Sequence, residues 1–436
     1  MTTQTTQTTQ TKPPTRRTRR TKRTRNPWLR RGAAAVALAA VLGGVAAPAA
    51  LAATPATTNA TTTAAATGAR GTLISVTPLA ELTREQVGAY VGAIGIGSDT
   101  VRHGVSAYRL TYATITPQGR PTTATGLLVL PRGGPHRLDL VSDTHGTTVF
   151  RGDAPSGAGD FGRITPYLHA AAGRAVAAPD YLGLGGGSGS HPYMDQKSAV
   201  SAGLDMLRAA RTAADRLGRP LTGDVYATGF SQGGQVAMAL GRELSSVRTG
   251  FRLRGLAPMA GPYDIAGAEL PGLTDGRIDP LTGVFYLSYY LTAQNKLHRL
   301  YADPAEVFKA PYASTLEGLF DGSHTEEEVV AGLPATLDGL LTPAWAEQVR
   351  HPSGAFAAAI AANDDACDWK PAAPVRLYAA AGDRDVPIAN ARSCAADLAR
   401  HGVRAPVLDQ GAETDHRGTA VRSAPQVVRW FDALGR

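Results

Sequence analysis

The sequence predicts an α/β domain in which a mostly parallel central sheet carries helices on both faces. Segments of helical periodicity, such as 199–217, separate short apolar runs, and this alternation is typical of parallel strands joined by crossover helices. Between about 267 and 371 this alternation of apolar runs and helical segments ends, and helix-like stretches take its place. The apolar runs, each short enough for a buried strand, cover 138–141, 175–178, 225–227, 256–259 and 375–378.

The N-terminus has the pattern of an export signal. The first 31 residues contain ten Lys or Arg and no acidic residue, and an alanine-rich run follows from 32 to 52. This run contains Pro48 and few large apolar side chains, and it ends in the small-residue pattern A-L-A. It therefore predicts a cleaved signal peptide over 1–52 rather than a membrane anchor, and a secreted protein. Arg30 and Arg31 leave both the Sec and the twin-arginine route open.

The residues after the leader predict a spacer and then one large domain, with two small domains as the alternative. Thr and Ala dominate 53–69 without periodicity, which is typical of a disordered segment, and the domain covers 70–436. Removing the ten cations of the leader from a net charge of +8 leaves about −2. Nucleic-acid binding therefore loses its electrostatic basis.

An antiparallel hairpin is predicted ahead of the buried strands. Apolar and polar residues alternate over 106–113, where Tyr108, Leu110 and Tyr112 share one face. The less regular run 123–130 follows after a turn. Two such runs joined by a short turn are typical of a hairpin.

A candidate nucleophile follows the third apolar run. Residues Gly229 to Gly233 spell G-F-S-Q-G, and helical periodicity continues from 235 to 244. In the α/β-hydrolase fold, G-x-S-x-G forms a sharp strand-to-helix turn that exposes the serine, and a Cβ at either glycine would collide with neighbouring backbone. The pattern also occurs by chance, but its strand-turn-helix context favours Ser231 as a nucleophile.

Two backbone N–H groups are candidates for the oxyanion hole that acyl transfer requires. One belongs to Gln232, directly after the serine. The other is expected in the loop 143–148, where we favour Thr147. The alternative is that His145 and Gly146 in this loop only form a tight turn.

The acid and the base should follow the serine in the order Ser, acid, His. His416 follows a partly apolar run, 403–408, so that a loop can carry it over the sheet edge. The acid should end the preceding strand, where Asp383 and Asp385 are both available. Asp383 is favoured, and Asp264 is a third candidate.

The stretch from about 267 to 371 is predicted to be a helical cap inserted into the sheet domain. Its run 285–291 is the most aromatic part of the chain. These rings could pack the cap onto the core. In the second interpretation they bind the acyl chain, with Phe285 and Tyr289 on one helical face as substrate-binding residues.

The chain has two cysteines, Cys367 and Cys394. In an oxidising compartment they predict a disulfide, and two unrelated buried thiols are the alternative. Neither cysteine has the spacing of a zinc site. The sequence predicts no metal and no cofactor.

Together these motifs resemble the secretory lipase family, lipase A type. The resemblance spans roughly residue 73 to the C-terminus and implies an acyl-ester hydrolase with a Ser-His-Asp triad and a helical lid. It also supports Asp383, because the spacing to Val386-Pro387 matches without a gap. The matching motifs are H-G-T-T at 145–148, A-P-S at 154–156, P-D-Y-L-G at 179–183, H-P-Y at 191–193, G-F-S-Q-G at 229–233 and D-V-P at 385–387.

The sequence therefore predicts a secreted serine esterase or lipase that forms an acyl-enzyme through Ser231, His416 and Asp383. Its partner would be a small-molecule or lipid ester, with at most transient contact to a lipid interface. A secreted peptidase or aminopeptidase is the alternative, because the same triad cleaves amides. That activity would need carboxylates in the cap, where 326–328 is the only cluster. A non-catalytic binding protein is a third hypothesis, which the ordered triad residues disfavour.

Overall fold

The computed structural model describes residues 1–2, 68–157, 159, 161–246 and 249–435. Almost all of the predicted signal peptide (1–52) and of the predicted spacer (53–69) lies outside these residues. The strands and helices belong to the larger of the two units into which the chain divides, 63–436. Within the described ranges, no helix is long and apolar enough to cross a membrane.

The described strands form one sheet of nine. They are β1 (Leu73–Leu82), β2 (Gly104–Ile115), β3 (Pro121–Arg132), β4 (Leu138–Thr144), β5 (Ala175–Pro179), β6 (Leu221–Phe230), β7 (Arg252–Met259), β8 (Leu377–Ala379) and β9 (Val407–Asp409). Their order is β1-β2-β3-β5-β4-β6-β7-β8-β9, with antiparallel pairs up to β3–β5 and parallel pairs beyond it. This confirms the predicted mostly parallel sheet, in the topology of the α/β-hydrolase fold.

The first three strands form an antiparallel edge. β2 and β3 pair along their full length, from Gly104 opposite Arg132 to Ile115 opposite Pro121, which confirms the predicted hairpin. β1 pairs with the outer side of β2 and was not predicted. Its side chains are mostly exposed or half-buried and its pairing has two register shifts, so no regular apolar alternation marks it in the sequence.

Helices cover both faces of the sheet. Leu140 and Val141 are neighbours in β4, yet they belong to different apolar clusters, because successive side chains of a strand point to opposite faces. The helices in the described part are α1 (Arg84–Gly92), α2 (Ile164–Ala171), α3 (Gln196–Arg216), α4 (Gln232–Leu244), α5 (Leu270–Asp275), α6 (Pro280–His298), α7 (Pro304–Val307), α8 (Tyr312–Leu319), α9 (Glu326–Ala331), α10 (Leu337–Leu340), α11 (Pro343–Arg350), α12 (Gly354–Ala361), α13 (Ala389–Arg400) and α14 (His416–Leu434). Residues of α1, α2 and α14 pack with Val141, whereas those of α3 and α4 pack with Leu140.

Helices α5 to α12 follow one another between β7 and β8, in a segment of residues 260–376 that we call the helical segment. A π-helical turn, Ile265–Glu269, leads into α5. The segment has an apolar cluster of its own, which Tyr193 and Met194 from the loop before α3 join. This cluster packs the helical segment against that loop. The predicted cap, about 267–371, falls within the segment.

The predicted disulfide is present. Cys367, near the end of the helical segment, is bonded to Cys394 in α13, with their Cα atoms 5.2 Å apart. Both cysteines are buried in an apolar cluster. The bridge ties the helical segment to the helix that follows β8.

Candidate active site

Ser231 lies at a strained turn between β6 and α4. Its backbone has φ 57° and ψ −126°, a region that non-glycine residues rarely adopt. Its N–H donates to the carbonyl of Met259 in the next strand, at 2.9 Å. A Cβ at Gly229 or Gly233 would collide with Thr144. The two glycines of G-x-S-x-G therefore let the turn close tightly against the end of β4, as the sequence predicts.

His416 is the first residue of α14, and its helix is capped by Asp415. Its Nδ1 donates to Oδ2 of Asp383 at 2.7 Å. Its ring packs on that of Phe230, the residue before Ser231, with the ring centroids 4.5 Å apart. Because Nδ1 carries the proton, Nε2 is an acceptor in the neutral ring. Nε2 is buried without a hydrogen-bond partner in the described part of the chain. It is therefore free to receive a proton.

Asp383 is held by two backbone donors as well as by His416. Its Oδ1 accepts from the N–H groups of Asp385 and Val386, each at 2.9 Å, and the residue is 5% exposed. The neighbouring candidate Asp385 is half-buried and contributes its backbone rather than its carboxylate. The third candidate, Asp264, accepts instead from Gly267 N–H at 2.6 Å and thereby caps the π-helical turn.

Ser231 lines a partly open cavity with a volume of about 70 Å³. An apolar cavity with a few polar groups is typical of a site for a small-molecule ligand. Apart from the groups discussed below, the lining is apolar and comes mostly from the helical segment. The lining residues are Thr147, Tyr193, Met194, Ser231, Gln232, Pro262, Ile265, Glu269, Leu270, Leu273, Ile278, Tyr286, Leu287, Tyr290 and Val386.

Both expected oxyanion residues, Gln232 and Thr147, line this cavity. Gln232 is the first residue of α4, where backbone N–H groups have no partner within the helix. The loop of Thr147 lies against the nucleophile turn, since a Cβ at Gly146 would be 3.2 Å from that of Ser231. In the same loop, Nδ1 of His145 lies 2.7 Å from the carbonyl oxygen of Gly146, so the imidazole is hydrogen-bonded to the loop backbone.

The aromatic run in α6 divides between the cavity and the core. Tyr286 and Tyr290 line the cavity. Phe285 and Tyr289, the two residues expected to bind substrate, are absent from that lining and are buried at 8% and 2% exposure. Both pack on Phe320, and Tyr289 stacks on it with centroids 4.7 Å apart. One face of the helix therefore packs in the core, and the other face lines the cavity.

Comparison with solved structures places the chain among hydrolases. A presumed hydrolase from Legionella pneumophila superposes with a TM-score of 0.77 at 25% identity, over 84% of this chain and 98% of that one. The rice cell wall degrading esterase LipA from Xanthomonas oryzae superposes with a TM-score of 0.71 at 28% identity, over 83% and 96%. Candida antarctica lipase A shares the fold, with a TM-score of 0.60 at 15% identity over 80% and 78%. No family model and no curated protein matches the chain.

These similarities support an α/β-hydrolase of the lipase-A type. Two tyrosines contact the loop that carries Thr147, namely Tyr193 from the loop before α3 and Tyr289 from the helical segment. The hydroxyl of Tyr193 is 2.8 Å from the Thr147 hydroxyl, and the hydroxyl of Tyr289 donates to the carbonyl of Thr148 at 3.3 Å. The two rings stack with centroids 4.2 Å apart and planes 5° from parallel. The loop that carries Thr147 is therefore held by these two tyrosines.

A buried histidine holds the side chain of Gln232. Nδ1 of His191 donates to the carbonyl of Leu182 at 2.9 Å, which leaves Nε2 as an acceptor, and the Gln232 side-chain amide donates to it at 3.2 Å. Burial lowers the pKa of His191 to about 3, so the ring stays neutral and keeps this pattern across the working pH range. His191 thus fixes the residue whose N–H is the first oxyanion candidate.

Acidic neighbours raise the pKa of His416. Burial alone lowers this pKa, but the carboxylate of Asp383 raises it by charge and by hydrogen bond, and the charge of Asp385 raises it further. The pKa therefore lies above 6.5. A base with a raised pKa binds the transferred proton more firmly, as a general base near neutral pH requires.

Sequence reasoning did not find Glu269, Tyr193 or His191 as site residues. The motif H-P-Y at 191–193 marked two of them as part of the resemblance, but no spacing assigned them a role. Glu269 stands alone in an irregular stretch, and the π-helical turn that places it has no signature in a single sequence.

Proposed function

We propose that the protein is a secreted serine esterase that hydrolyses carboxylic esters through an acyl-enzyme on Ser231. The observation that carries the proposal is the hydrogen bond from His416 to Asp383 beside the strained serine turn, with Nε2 of His416 left without a partner. A serine becomes a nucleophile when an oriented base takes its proton. Asp383 supplies the orientation and His416 the base.

The reaction follows from these roles. Ser231 Oγ attacks the ester carbonyl carbon and its proton passes to Nε2 of His416, while Asp383 stabilises the imidazolium. The carbonyl oxygen becomes an oxyanion that the N–H groups of Gln232 and Thr147 stabilise. His416 then protonates the leaving alcohol, and an acyl-enzyme remains. A water molecule gives a proton to His416 and attacks the acyl carbon. His416 then returns the proton to Ser231 Oγ as the acid is released, which restores the free enzyme.

The lining of the cavity supports an ester with an apolar moiety of several carbons. Leu270, Leu273, Ile278 and Leu287 face it, and each buried methylene contributes about 0.8 kcal/mol. Tyr286 and Tyr290 take the substrate-contact role that the sequence assigned to Phe285 and Tyr289. The named activities of the similar structures, esterase and lipase, also support an ester substrate.

A peptidase is less well supported. The acidic cluster 326–328 is the start of α9, where Glu328 and Thr325 form a capping box, and Glu326 lies 3.9 Å from Arg417. A helix start of this kind is an ordinary structural use of carboxylates. The cluster is also absent from the lining of the Ser231 cavity.

Secretion is supported by two features. The basic and then apolar N-terminal pattern is typical of an export signal, and the Cys367–Cys394 disulfide is stable in an oxidising compartment. A secreted protein should begin near Ala53. Mass spectrometry of protein recovered from the culture medium tests this, and an intact basic leader would contradict it.

A substrate panel tests the proposed reaction. The wild type should hydrolyse 4-nitrophenyl esters from acetate to octanoate and release no 4-nitroaniline from aminoacyl 4-nitroanilides. Ser231→Ala should lower ester turnover by a factor on the order of 10⁴ or more. Preferred cleavage of the anilides would favour the peptidase, and full ester activity in Ser231→Ala would refute the assigned nucleophile.

A further inference from the structure

A carboxyl group lines the cavity that contains Ser231. Glu269 is the last residue of the π-helical turn, and it shares the cavity with Ser231 and Gln232. Most of the surrounding lining is apolar. Burying a carboxyl among apolar groups is unfavourable unless it has partners, so its presence here requires a structural or functional reason.

A neutral amide, rather than a cation, holds this carboxyl in place. Asn390 donates from Nδ2 to Oε1 of Glu269 at 2.5 Å and also to the carbonyl of Pro387 at 3.1 Å. Oδ1 of Asn390 accepts from the N–H of Asp264 at 3.1 Å, and Asn390 is 1% exposed. These bonds fix the orientation of Glu269. Its second oxygen, Oε2, has no partner in the described ranges and is left for a ligand in the cavity.

The carboxyl is mostly protonated at neutral pH. Burial raises the pKa of Glu269 to about 8; Asp383 adds to this, whereas the Asn390 hydrogen bond, His416 and Arg277 oppose it. Because Oε1 accepts from Asn390, the proton resides on Oε2. Glu269 therefore presents an O–H donor to a cavity that is otherwise suited to hydrocarbon.

We propose that Glu269 is a specificity residue that selects esters with an ether, hydroxyl or carbonyl oxygen on the moiety that enters this cavity. This inference rests on the proposed esterase function. A purely apolar moiety leaves the Oε2–H without a partner, whereas an oxygen acceptor satisfies it. Sites built to hydrogen-bond a substrate discriminate strongly against analogues that lack the matching group.

The glutamine variant separates the protonated carboxyl from an ionised one. In Glu269→Gln the side-chain oxygen can still accept from Asn390, and the amide nitrogen then occupies the Oε2 position as a donor. A site that uses a protonated carboxyl should tolerate this change. A carboxylate that binds a substrate ammonium group should not.

Matched esters test the proposal in the wild type. On the acyl side, 4-nitrophenyl 3-methoxypropanoate is compared with 4-nitrophenyl pentanoate, and on the alcohol side, 2-methoxyethyl acetate with butyl acetate. Each pair replaces one methylene by oxygen. After correction for the hydroxide-catalysed rates, the oxygenated ester should be preferred at least about tenfold in kcat/KM in one pair, which identifies the moiety that occupies the cavity.

The variants then test the residue. The preference should persist within about threefold in Glu269→Gln and disappear in Glu269→Leu. Glu326→Gln, outside the cavity lining, should keep it and serves as the matched control. Each preference is a ratio of two kcat/KM values measured on the same protein. Partial unfolding of a variant lowers both values equally and leaves the ratio unchanged.

Other outcomes overturn the inference. Equal rates within both ester pairs, or a preference that survives Glu269→Leu, would remove Glu269 as the selecting group. Preference for an aminoacyl ester that is lost in Glu269→Gln would assign a cation site instead. If the pentanoate ester is hydrolysed and the oxygenated ester is not preferred, this inference alone is wrong. If no ester is hydrolysed, the proposed function is wrong and the inference with it.

Discussion

Asp383 and Asp385 lie two residues apart in the loop after β8, and only Asp383 contacts His416. The distance to Val386-Pro387 favoured Asp383 in the sequence. The structure supplies the reason: Oδ1 of Asp383 accepts the N–H groups of Asp385 and Val386, which turns Oδ2 toward His416. These two hydrogen bonds fix the number of residues between the acid and the backbone N–H groups that it accepts. A fixed number of this kind can be recognised in a sequence.

Replacement of the two acids gives opposite expected results. Asp383→Asn should lower kcat by a factor on the order of 10⁴, because an amide no longer orients the imidazole or stabilises its charge. Asp385→Asn should stay within about tenfold of the wild type, since its backbone N–H is retained. Steady-state kinetics on a 4-nitrophenyl ester measures both. The reverse order would transfer the role to Asp385.

The pH profile should report the raised pKa of His416. The base works only when neutral, so kcat/KM should fall as the pH drops through this pKa, and the acidic limb should lie above pH 6.5. Asp385→Asn removes a carboxylate that raises the pKa of His416, and should move the limb to lower pH. Glu347→Gln, an exposed change in α11, is the control. An unshifted limb in Asp385→Asn would contradict this account.

Glu269 shows where single-sequence reasoning stops. Nothing in the spacing around it differs from a surface carboxylate, and its side chain accepts a hydrogen bond from Asn390, which is 121 residues away in the chain. Contacts over such distances are set by tertiary packing and leave no local pattern. Ser231 and His416 could be predicted from the sequence. The serine lies in a turn with a recognisable motif, and the histidine follows the acid in the expected chain order.

At the scale of elements, the predictions succeeded where burial is regular. β4 to β7 are buried on both faces and appear as apolar runs. β8 and β9 have three residues each, and β9 is only partly buried, so its predicted span of 403–408 was too long. His416 was expected on a loop but begins α14, because Asp415 caps the helix directly before it.

The tyrosine pair Tyr193 and Tyr289 should set the position of the loop that carries Thr147, the second proposed oxyanion residue. Tyr193→Phe removes the hydroxyl that contacts Thr147, so kcat should fall about tenfold while KM changes little, because the loop stabilises the transition state more than the ground state. Tyr301→Phe is the matched control, since its hydroxyl bonds Glu317 instead. Equal kinetic losses in both variants would show that the tyrosines act only through stability.

At the scale of the whole molecule, the disulfide joins the helical segment to the sheet domain. The bridged cysteines are 27 residues apart. Closing a loop of that size contributes about 3.5 kcal/mol to the free energy of unfolding in the chain-entropy model. Reduction without denaturation should therefore lower the urea midpoint, with activity retained below the transition. A Cys394→Ala variant that is insensitive to reductant is the control. An unchanged midpoint after complete reduction would contradict the expected stabilisation.

The proposed esterase reaction requires that an acyl group is attached to Ser231 during turnover. The most direct measurement is an acid quench of the enzyme during hydrolysis of 4-nitrophenyl pentanoate, followed by peptide mass spectrometry. We predict a pentanoyl group on Ser231 in the peptide that contains G-F-S-Q-G, in larger amounts when His416→Ala is quenched after prolonged incubation, since deacylation also needs the base. Ester hydrolysis without any acyl adduct, or an adduct on another residue, would contradict the central claim.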